Sequence, residues 1–386
     1  MCHSTADVIV IGGGIAGVTA AAHLAPHRSV VVLEAESALA QHTTGRSAAQ
    51  FLENYGGEAN RRLSIGSRAF FEDPPEGTTD APLLTPRPFL SIGDDAHLPA
   101  LERHAAEGAA MVPSIRLVDR DEVLRHCPAL RPARVAAGVL EPDACDIDVM
   151  ALHQCFVRLA RRHDARIVTG ARVAGLARTG DTWVVEAGDE RYEAPVVVDA
   201  AGSWADRVAA SGGVDPVGAM PLRRTALTVR GPGDSDAWPL VYVIDESLYF
   251  KPEAGDQLLV SPADEAPSEA LDARPEELDV ALALDRLGEW TTLDVRHVRS
   301  SWAGLRTFVA DRQPVIGFDP GAPGFFWLAG QGGTGIQTAP ASGRLAASLI
   351  LEGTVPDDLA ALGLTAAEVA PDRPTLSRTP AEGRAP

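Results

Sequence analysis

The chain has 386 residues, 45% of them hydrophobic and 23% charged, a composition typical of a globular protein large enough for two domains. Its formal net charge of −19 argues against binding to nucleic acid or to anionic membranes. The four cysteines are scattered, and no His or Cys cluster has metal-ligand spacing, so we expect reduced thiols and no metal site. Because the N-terminus lacks the basic region of a signal peptide and no long apolar tract follows, we expect a cytoplasmic protein without a transmembrane segment.

The most informative segment is the first βαβ unit. The apolar run 8–11 predicts a buried strand, and it leads into Gly12, Gly14 and Gly17 at G-x-G-x-x-G spacing and then into an alanine-rich helix. A second apolar strand ends in Glu34, whose carboxylate is placed to accept hydrogen bonds from a ribose. The segment therefore predicts a dinucleotide site, although this motif alone does not separate NAD from FAD.

Later junctions between a strand, a glycine turn and a helix favour FAD. They recur at Gly202 and at 330–335, but neither is a second complete fingerprint, which an NADPH-dependent flavoenzyme would usually carry. We therefore expect one dinucleotide whose far end meets Gly332, Gly333 and Gly335, which are predicted to open a helix and to offer backbone N–H groups to the flavin.

The order of elements predicts the domain organisation. Segments of βαβ type alternate with inserted antiparallel strands, which is typical of an α/β protein with a Rossmann-like FAD-binding domain and an inserted substrate domain on a mixed or antiparallel sheet. The predicted segments are 1–80, 142–215 and 305–355 for the FAD-binding domain, 81–141 and 216–304 for the substrate domain, and 356–386 for a poorly ordered tail.

Five motifs, in consistent order between residues 6 and 351, resemble one family. They are GGGIAG…VVLE, HTTGRSAAQ, VVVDAAGSWAD, SWAGLRTFVADRQPVIG and FFWLAGQGGTGIQT. Together they resemble the D-amino-acid oxidase/dehydrogenase (DAO) family of FAD oxidoreductases, and within it most of all the bacterial D-arginine dehydrogenases. The resemblance implies oxidation of the Cα–N bond of an amino acid. FAD is expected to be bound non-covalently, because no cysteine lies in the C-terminal flavin segments.

The motifs and the resemblance together predict a set of cofactor-binding residues, which come from every part of the FAD-binding domain. They are Gly12, Gly14, Ile15, Ala16, Gly17, Glu34, Ala35, Thr43, Thr44, Arg46, Ser47, Ala48, Val173, Ala201, Gly202, Gly304, Arg306, Gly332, Gly333, Thr334, Gly335 and Ile336.

Oxidation of an amino acid requires a clamp for its carboxylate, for which the arginine fork assisted by tyrosine hydroxyls is suited. We predict Arg306 as the first candidate and Arg224 as the second, with Tyr55 and Tyr249 as the catalytic tyrosines. By resemblance, the backbone of Gly333 accepts a hydrogen bond from the substrate amine.

Three further residues are predicted to contact the substrate. By resemblance Gln337 lies beside the amine, and Gln50 stands where the most similar relatives carry histidine. Phe89, after Arg87-Pro88, stands where they carry an acidic residue that pairs with a basic substrate. The loss of this charge partner predicts a preference for apolar over basic side chains.

Two enzymatic functions and one non-enzymatic function agree with these residues. The first is a D-amino-acid dehydrogenase or oxidase, whose imino-acid product hydrolyses to a 2-oxo acid and ammonia. The second is a glycine/sarcosine-type oxidase of an N-substituted glycine or another secondary amine. The third is a flavin-binding redox sensor or scaffold without amine chemistry. The electron acceptor, oxygen or a quinone or carrier, stays open.

Overall fold

The computed structural model describes residues 3–376, and within them it contains 22 strands and 11 α-helices. The strands are β1 His3–Thr5, β2 Val8–Ile11, β3 Val30–Leu33, β4 Gln50–Phe51, β5 Leu84–Pro86, β6 Phe89–Gly93, β7 Arg116–Asp119, β8 Ala137–Glu141, β9 Cys145–Ile147, β10 Arg166–Val168, β11 Val173–Thr179, β12 Thr182–Ala187, β13 Glu190–Ala194, β14 Val196–Asp199, β15 Met220–Arg230, β16 Leu240–Val243, β17 Tyr249–Glu253, β18 Gln257–Ser261, β19 Ala266–Pro267, β20 Val298–Phe308, β21 Val315–Phe318 and β22 Phe325–Ala329. The helices are α1 Ile15–Leu24, α2 Glu58–Ile65, α3 Arg68–Glu72, α4 Leu98–Met111, α5 Arg120–His126, α6 Val149–Arg162, α7 Ala205–Ser211, α8 Glu277–Trp290, α9 Ala339–Leu351, α10 Asp357–Ala361 and α11 Ala366–Val369. No helix within residues 3–376 is long and apolar enough to cross a membrane.

A six-stranded sheet in the order β10-β3-β2-β14-β22-β21 forms the predicted Rossmann-like layer. All neighbouring strands are parallel except β21, which runs antiparallel to β22. Strand β2 is buried on both faces, as expected for a parallel strand covered on both sides. Helices α1, α6 and α9 pack on one face. The four-stranded sheet β1-β13-β12-β11 packs on the other, where Trp183 and Trp327 share a core.

A nine-stranded mixed sheet supplies the second layer of the molecule. Its order is β19-β15-β18-β17-β16-β6-β8-β7, with β20 pairing along β15 in antiparallel register. One face packs against α8 through residues such as Val241, Phe250 and Val260. Because side chains alternate across a strand, their neighbours Tyr242 and Tyr249 emerge on the opposite face, toward the FAD-binding layer.

The structure corrects the prediction that the C-terminal glycines open a helix. The helix after the last glycine turn begins only at Ala339, so Gly332 to Gly335 lie in turns and not in its first turn.

The predicted poorly ordered tail is wrong for residues 357–376. Leu359, Leu364 and Val369 are buried against the six-stranded layer, because this segment carries its own apolar residues and two short helices. The rest of the predicted tail, 377–386, lies outside the described residues. Strands β6–β8 and β15–β20 build the nine-stranded sheet, but β20 crosses the predicted boundary at 304/305 and β5 pairs with β9 of the other predicted domain. The division into two domains stays a proposal.

Candidate active site

A cavity of about 490 Å³ lies between the carboxyl end of the six-stranded sheet and strands β15 and β20. The predicted residues that line it are Gly12, Gly14, Ile15, Ala16, Glu34, Ala35, Thr43, Thr44, Arg46, Ser47, Ala48, Val173, Ala201, Gly202, Arg224, Tyr249, Gly304, Arg306, Gly332, Gly333, Gly335 and Ile336. Six predicted residues are absent from the lining: Gly17, Gln50, Tyr55, Phe89, Thr334 and Gln337.

Each glycine of the glycine-rich turn is required for a different physical reason. Gly12 has φ +110°, and a Cβ there would lie 2.4 Å from the carbonyl oxygen of Ala200. A Cβ on Gly17 would lie 1.9 Å from the carbonyl oxygen of Gly12, so this residue allows α1 to pack on the turn and does not face the cavity. Gly14 meets only Thr44 Oγ1, at 3.2 Å, and leaves the backbone open to the cavity. This arrangement leaves room for a phosphate at the start of α1.

Glu34 lines the cavity directly after strand β3. Its Oε2 accepts the N–H of Gly13 at 2.7 Å, and its Oε1 accepts the N–H of Glu36 at 2.8 Å. These two bonds fix the carboxylate at the edge of the cavity. Each oxygen retains acceptor capacity, because a carboxylate oxygen has two lone-pair sites.

The loop 43–48 crosses from the first layer to β20. Thr43 donates from Oγ1 to the carbonyl of Leu305 (2.7 Å), and Thr44 Oγ1 caps the N–H of Ile15 (3.0 Å). Arg46 donates to the carbonyls of Ala273 and Ala303 at 2.9 and 3.1 Å, and it pairs with Asp272. The loop therefore lines the cavity, and the guanidinium of Arg46 joins the two layers.

Arg306 differs from the other arginines of the cavity. Of the five that line it, Arg46, Arg172, Arg207 and Arg224 each have a hydrogen bond or an ion pair in the described structure. Arg306 has neither with any residue between 3 and 376, although it lies against Gly333, where an added Cβ would be 3.0 Å from its Nη1. Burial lowers the pKa of Arg306, but nearby Tyr55, Tyr249 and Glu265 outweigh burial and hold it above its ordinary value.

Arg224 emerges from the same face of the sheet as Arg306, because it pairs with Gly304, two residues before Arg306 on β20. Unlike Arg306, it is already bonded. Its Nε donates to the carbonyl of Asp264 (2.7 Å), and its Nη2 donates to Glu265 Oε1 (3.1 Å). Its neighbour Arg223 points away, to Glu276 and Asp279.

An apolar cluster with three tyrosines adjoins the cavity through Ala48 and Tyr249, and we call it the roof cluster. Phe89 and Tyr242 lie with ring centroids 5.6 Å apart, and Tyr249 is the register partner of Tyr242. Burial, followed by the proximity of Tyr55, raises the pKa of Tyr242. The members are Ala48, Leu52, Tyr55, Phe89, Ala144, Leu240, Tyr242, Tyr249, Leu259, Ala263 and Trp302.

The structure places three predicted residues away from the cavity. The side-chain amide of Gln337 binds the backbone of Leu52. Its Oε1 accepts from the Leu52 N–H and its Nε2 donates to the Leu52 carbonyl, both at 3.0 Å. Thr334 bonds Asn60, and Gln50 donates to the carbonyl of Arg87, while Gln50 Oε1 is buried without a partner. Gln337 and Thr334 therefore position the Tyr55 loop and α2, and the predicted direct contacts with substrate or cofactor are corrected.

Sequence reasoning missed two residues, Tyr242 and Glu265. A signal for Tyr242 existed, since the hairpin LVYVIDESLYF places Tyr242 opposite Tyr249 across its turn. Glu265 had no local signal, because its partners Arg224 and Arg312 lie far away along the chain.

Comparisons with known proteins identify the family. A sequence profile of the family described as DAO, FAD dependent oxidoreductase, matches residues 7–349. The chain belongs to the DAO family. The glycine oxidase of Geobacillus kaustophilus is similar to this DAO-family protein at 23% identity, over 93% of this chain and 96% of that protein.

Solved structures show the same fold. L-proline dehydrogenase from P. horikoshii has a TM-score of 0.84 at 20% identity, covering 96% of this chain and 98% of that one. L-α-glycerophosphate oxidase from Mycoplasma pneumoniae, solved with FAD bound, has a TM-score of 0.81 at 20% identity, covering 90% and 95%. The predicted fold class, the FAD cofactor and the assignment as an oxidoreductase are confirmed. The narrower likeness to D-arginine dehydrogenases stays a prediction.

The residues of the cavity fit FAD. The turn at Gly12 and Gly17 leaves no room for side chains, the start of α1 faces the cavity at Gly14, and Glu34 is fixed at one end. At the other end, the turn at Gly332 and Gly333 lines the cavity together with Arg306, whose guanidinium lies near Tyr55 and Tyr249 of the roof cluster.

Proposed function

We propose that this DAO-family protein oxidises the Cα–N bond of an amino acid, a D-amino acid by the sequence resemblance, to an imino acid that hydrolyses to a 2-oxo acid and ammonia. The observation that carries the proposal is Arg306, a half-buried guanidinium on the cavity wall without a hydrogen-bond or ion-pair partner in residues 3–376. A partly desolvated charge without a protein partner favours an anionic ligand. A substrate carboxylate supplies two oxygens at the spacing of the arginine fork.

Each residue near Arg306 has a task in this proposal. Arg306 binds the substrate carboxylate, and Tyr249, which is buried beside it, donates its hydroxyl to the same group. The carbonyl of Gly333, next to the Arg306 guanidinium, accepts from the amine and orients the Cα–H. The roof cluster excludes water from the reacting centre. Bound FAD supplies the two-electron oxidant.

The roof cluster supports a preference for apolar side chains. Phe89 packs with Leu52, Leu240 and Leu259, and it offers no charge to a basic substrate. The carboxylates of Asp146 and Glu253 already pair with Lys251, two residues after Tyr249, at 2.8 and 3.2 Å. They are therefore not free to pair with a basic substrate side chain, which disfavours such a substrate.

A second candidate is oxidation of an N-substituted glycine or another secondary amine. It uses the same carboxylate clamp, and it is favoured by the similarity to the Geobacillus glycine oxidase over nearly the whole chain. The pocket around the nitrogen, and not Arg306, distinguishes the two candidates.

An anaerobic substrate panel tests the proposal. The holoenzyme is mixed with D- and L-amino acids and with N-alkyl glycines, and bleaching of the flavin band is followed. We expect apolar D-amino acids to bleach it fastest. If N-alkyl glycines are faster, the second candidate is correct, and if no amine bleaches the flavin, amine oxidation is wrong.

Arg306→Ala tests the clamp. We expect the rate constant of flavin reduction divided by Kd to fall about 10²- to 10³-fold, because a bidentate charge-assisted contact is lost, while FAD stays bound. Arg299→Ala is the matched control, since Arg299 is an exposed arginine on the same strand. Loss of FAD from the Arg306 variant would assign Arg306 a structural role instead.

A further inference from the structure

Glu265 is held in a fixed place at the edge of the proposed substrate site. It follows β18 and directly precedes β19, which pairs with β15 through Arg223 and Ala266. The preceding residue, Asp264, accepts from the N–H and the hydroxyl of Thr225 at 2.6 and 3.0 Å. The backbone on both sides of Glu265 is therefore tied to the strand that carries Arg224.

The carboxylate of Glu265 joins two arginines. Its Oε1 accepts from Arg224 Nη2 at 3.1 Å, and both oxygens accept from Arg312 Nη2 at 2.8 and 3.0 Å. Arg224 lines the cavity with its side chain 9% exposed, whereas that of Arg312 is 50% exposed and stacks over the ring of Phe308 at 3.8 Å. Glu265 thus bridges the wall of the cavity and the protein surface.

Glu265 stays ionised in these surroundings. Burial raises its pKa, but the hydrogen bond and charge of Arg312, with the charges of Arg224 and Arg306, outweigh burial and lower it. Three guanidinium groups therefore lie near one protein carboxylate, which pairs with Arg224 and Arg312, and Arg306 is left without a hydrogen bond or an ion pair in the described structure.

We propose that Glu265 is a specificity-determining residue: it occupies Arg224 and Arg312, leaves Arg306 as the guanidinium for the substrate, and so selects ligands with one carboxylate over ligands with two. This inference rests on the proposed function, because it takes the carboxylate of an amino acid as the group bound by Arg306. A second carboxylate meets the negative charge of Glu265 and finds its two nearest arginines occupied. Without Glu265, the same arginines would attract that second carboxylate.

The first test measures binding without turnover. The oxidised holoenzyme is titrated with malonate and with malonamate, which has nearly the same shape and one carboxylate fewer, and the change in flavin absorbance gives each Kd. In Glu265→Gln, which removes the charge and keeps the shape, we expect the Kd ratio of malonate to malonamate to fall about tenfold or more. Glu289→Gln, which removes a glutamate of α8 that pairs with Arg134, is the matched control and should leave the ratio unchanged. An unchanged ratio in Glu265→Gln, or equal weakening of both ligands, would overturn the proposal.

A second variant covers the case in which Glu265→Gln does not fold. Arg312→Gln alters a half-exposed side chain and leaves the charge of Glu265 less compensated. We expect the Kd of malonate to rise several-fold relative to that of malonamate, which is the opposite of the change expected in Glu265→Gln. A ratio equal to that of the wild type would contradict the role of Glu265.

The reductive half-reaction separates this inference from the proposed function. The wild-type protein and Glu265→Gln are each mixed anaerobically with D-Asp and with D-Asn. For a secondary-amine enzyme, the pair is iminodiacetate and its monoamide. If malonate binding responds as expected but no amine reduces the flavin, the proposed function fails and the selectivity of Glu265 stands. If amines reduce the flavin but Glu265→Gln changes neither the Kd ratio of malonate to malonamate nor the ratio of flavin-reduction rates for the diacid and its amide, only the role assigned to Glu265 is wrong.

Discussion

At the scale of single residues, Phe89 is the member of the roof cluster on which the proposed substrate preference depends. Its register partner across β6 and β8 is Glu141, and it packs beside Tyr242 and Leu240. Glu141 is no substitute for an acid at position 89. Its carboxylate is buried and accepts from the backbone of Glu53, and burial raises its pKa to about 7. In the proposed function, the charge offered to a substrate side chain therefore depends on position 89.

Phe89→Glu should move the substrate preference toward basic amino acids. We expect the ratio of kcat/KM for D-Arg to that for D-Leu to rise about 10- to 100-fold, because the new carboxylate pairs with the guanidinium of the substrate. The measurement is flavin reduction by both substrates. Phe89→Leu serves as the control and should keep the apolar preference; an equal gain in that variant would show that pocket volume, and not charge, sets the preference.

Gly17→Ala should separate close packing from helix propensity. Alanine favours a helix interior, but its Cβ would lie 1.9 Å from the carbonyl oxygen of Gly12. We expect a loss of at least about 2 kcal/mol in the free energy of unfolding, with weaker FAD binding, measured by denaturant titration and flavin fluorescence. Gly288→Ala is the control in α8, where a Cβ meets nothing within 4 Å and should stabilise by about 0.5 kcal/mol. Equal effects at both glycines would contradict this explanation.

At the scale of elements, the C-terminal segment after α11 fastens the loop between β20 and β21. Arg373, whose side chain is 4% exposed, pairs with Asp311 and also donates to the carbonyls of Gln313 and Pro314. The same loop carries Arg312, the partner of Glu265. A segment that the sequence left as a tail is thus tied to a residue beside the proposed active site.

Arg373→Ala should destabilise the protein in a pH-dependent way. Burial raises the pKa of Asp311, but hydrogen bonds from Arg373 and Thr375 outweigh it and lower that pKa from 3.8 to about 2. A lowered folded-state pKa stabilises the fold above pH 3.8, and this contribution is lost as the pH falls toward 2. We expect the free energy of unfolding of the variant to be lower by about 2 kcal/mol or more at pH 7. The difference in Tm between the variant and the wild type should become smaller at acidic pH. A gap in Tm that does not change with pH would refute the ionic part of this account.

At the scale of the whole molecule, one cavity joins segments from residue 11 to residue 336. The glycine turn, the loop 43–48, strand β20 and the turn at Gly332 each supply one wall. Since FAD binds the folded state, its binding free energy adds to the stability of the whole fold.

Removal of FAD should lower Tm, and added FAD should restore it. At a free concentration of about 100 times Kd, the gain is about 2.7 kcal/mol. Thermal melts at increasing FAD concentration measure this gain. ADP is the control ligand and should recover a smaller part, because it reaches the wall at Glu34 and not the one at Gly333. Equal gains from both ligands would place all the binding energy at the nucleotide end.

Several site residues were predictable because their roles are local or are carried by a motif. The spacing of Gly12, Gly14 and Gly17 is set by backbone geometry that any such turn must satisfy, and Glu34 follows at the end of the next strand. Gln337 was misplaced because its contact is with the backbone of Leu52, far away in sequence. Hydrogen bonds between distant segments leave no periodicity in the sequence.

The sequence alone indicated the family, the FAD cofactor and the candidate arginines, because glycine spacing, strand–turn–helix order and motif content are properties of neighbouring residues. Only the tertiary structure decided which arginine is free. The sequence ranked Arg306 before Arg224 without showing the partners of either, and the fold brings Glu265 to Arg224 and leaves Arg306 facing the cavity without a partner in the described chain. The reason is physical: the charge that a guanidinium can offer depends on what folding has already placed against it.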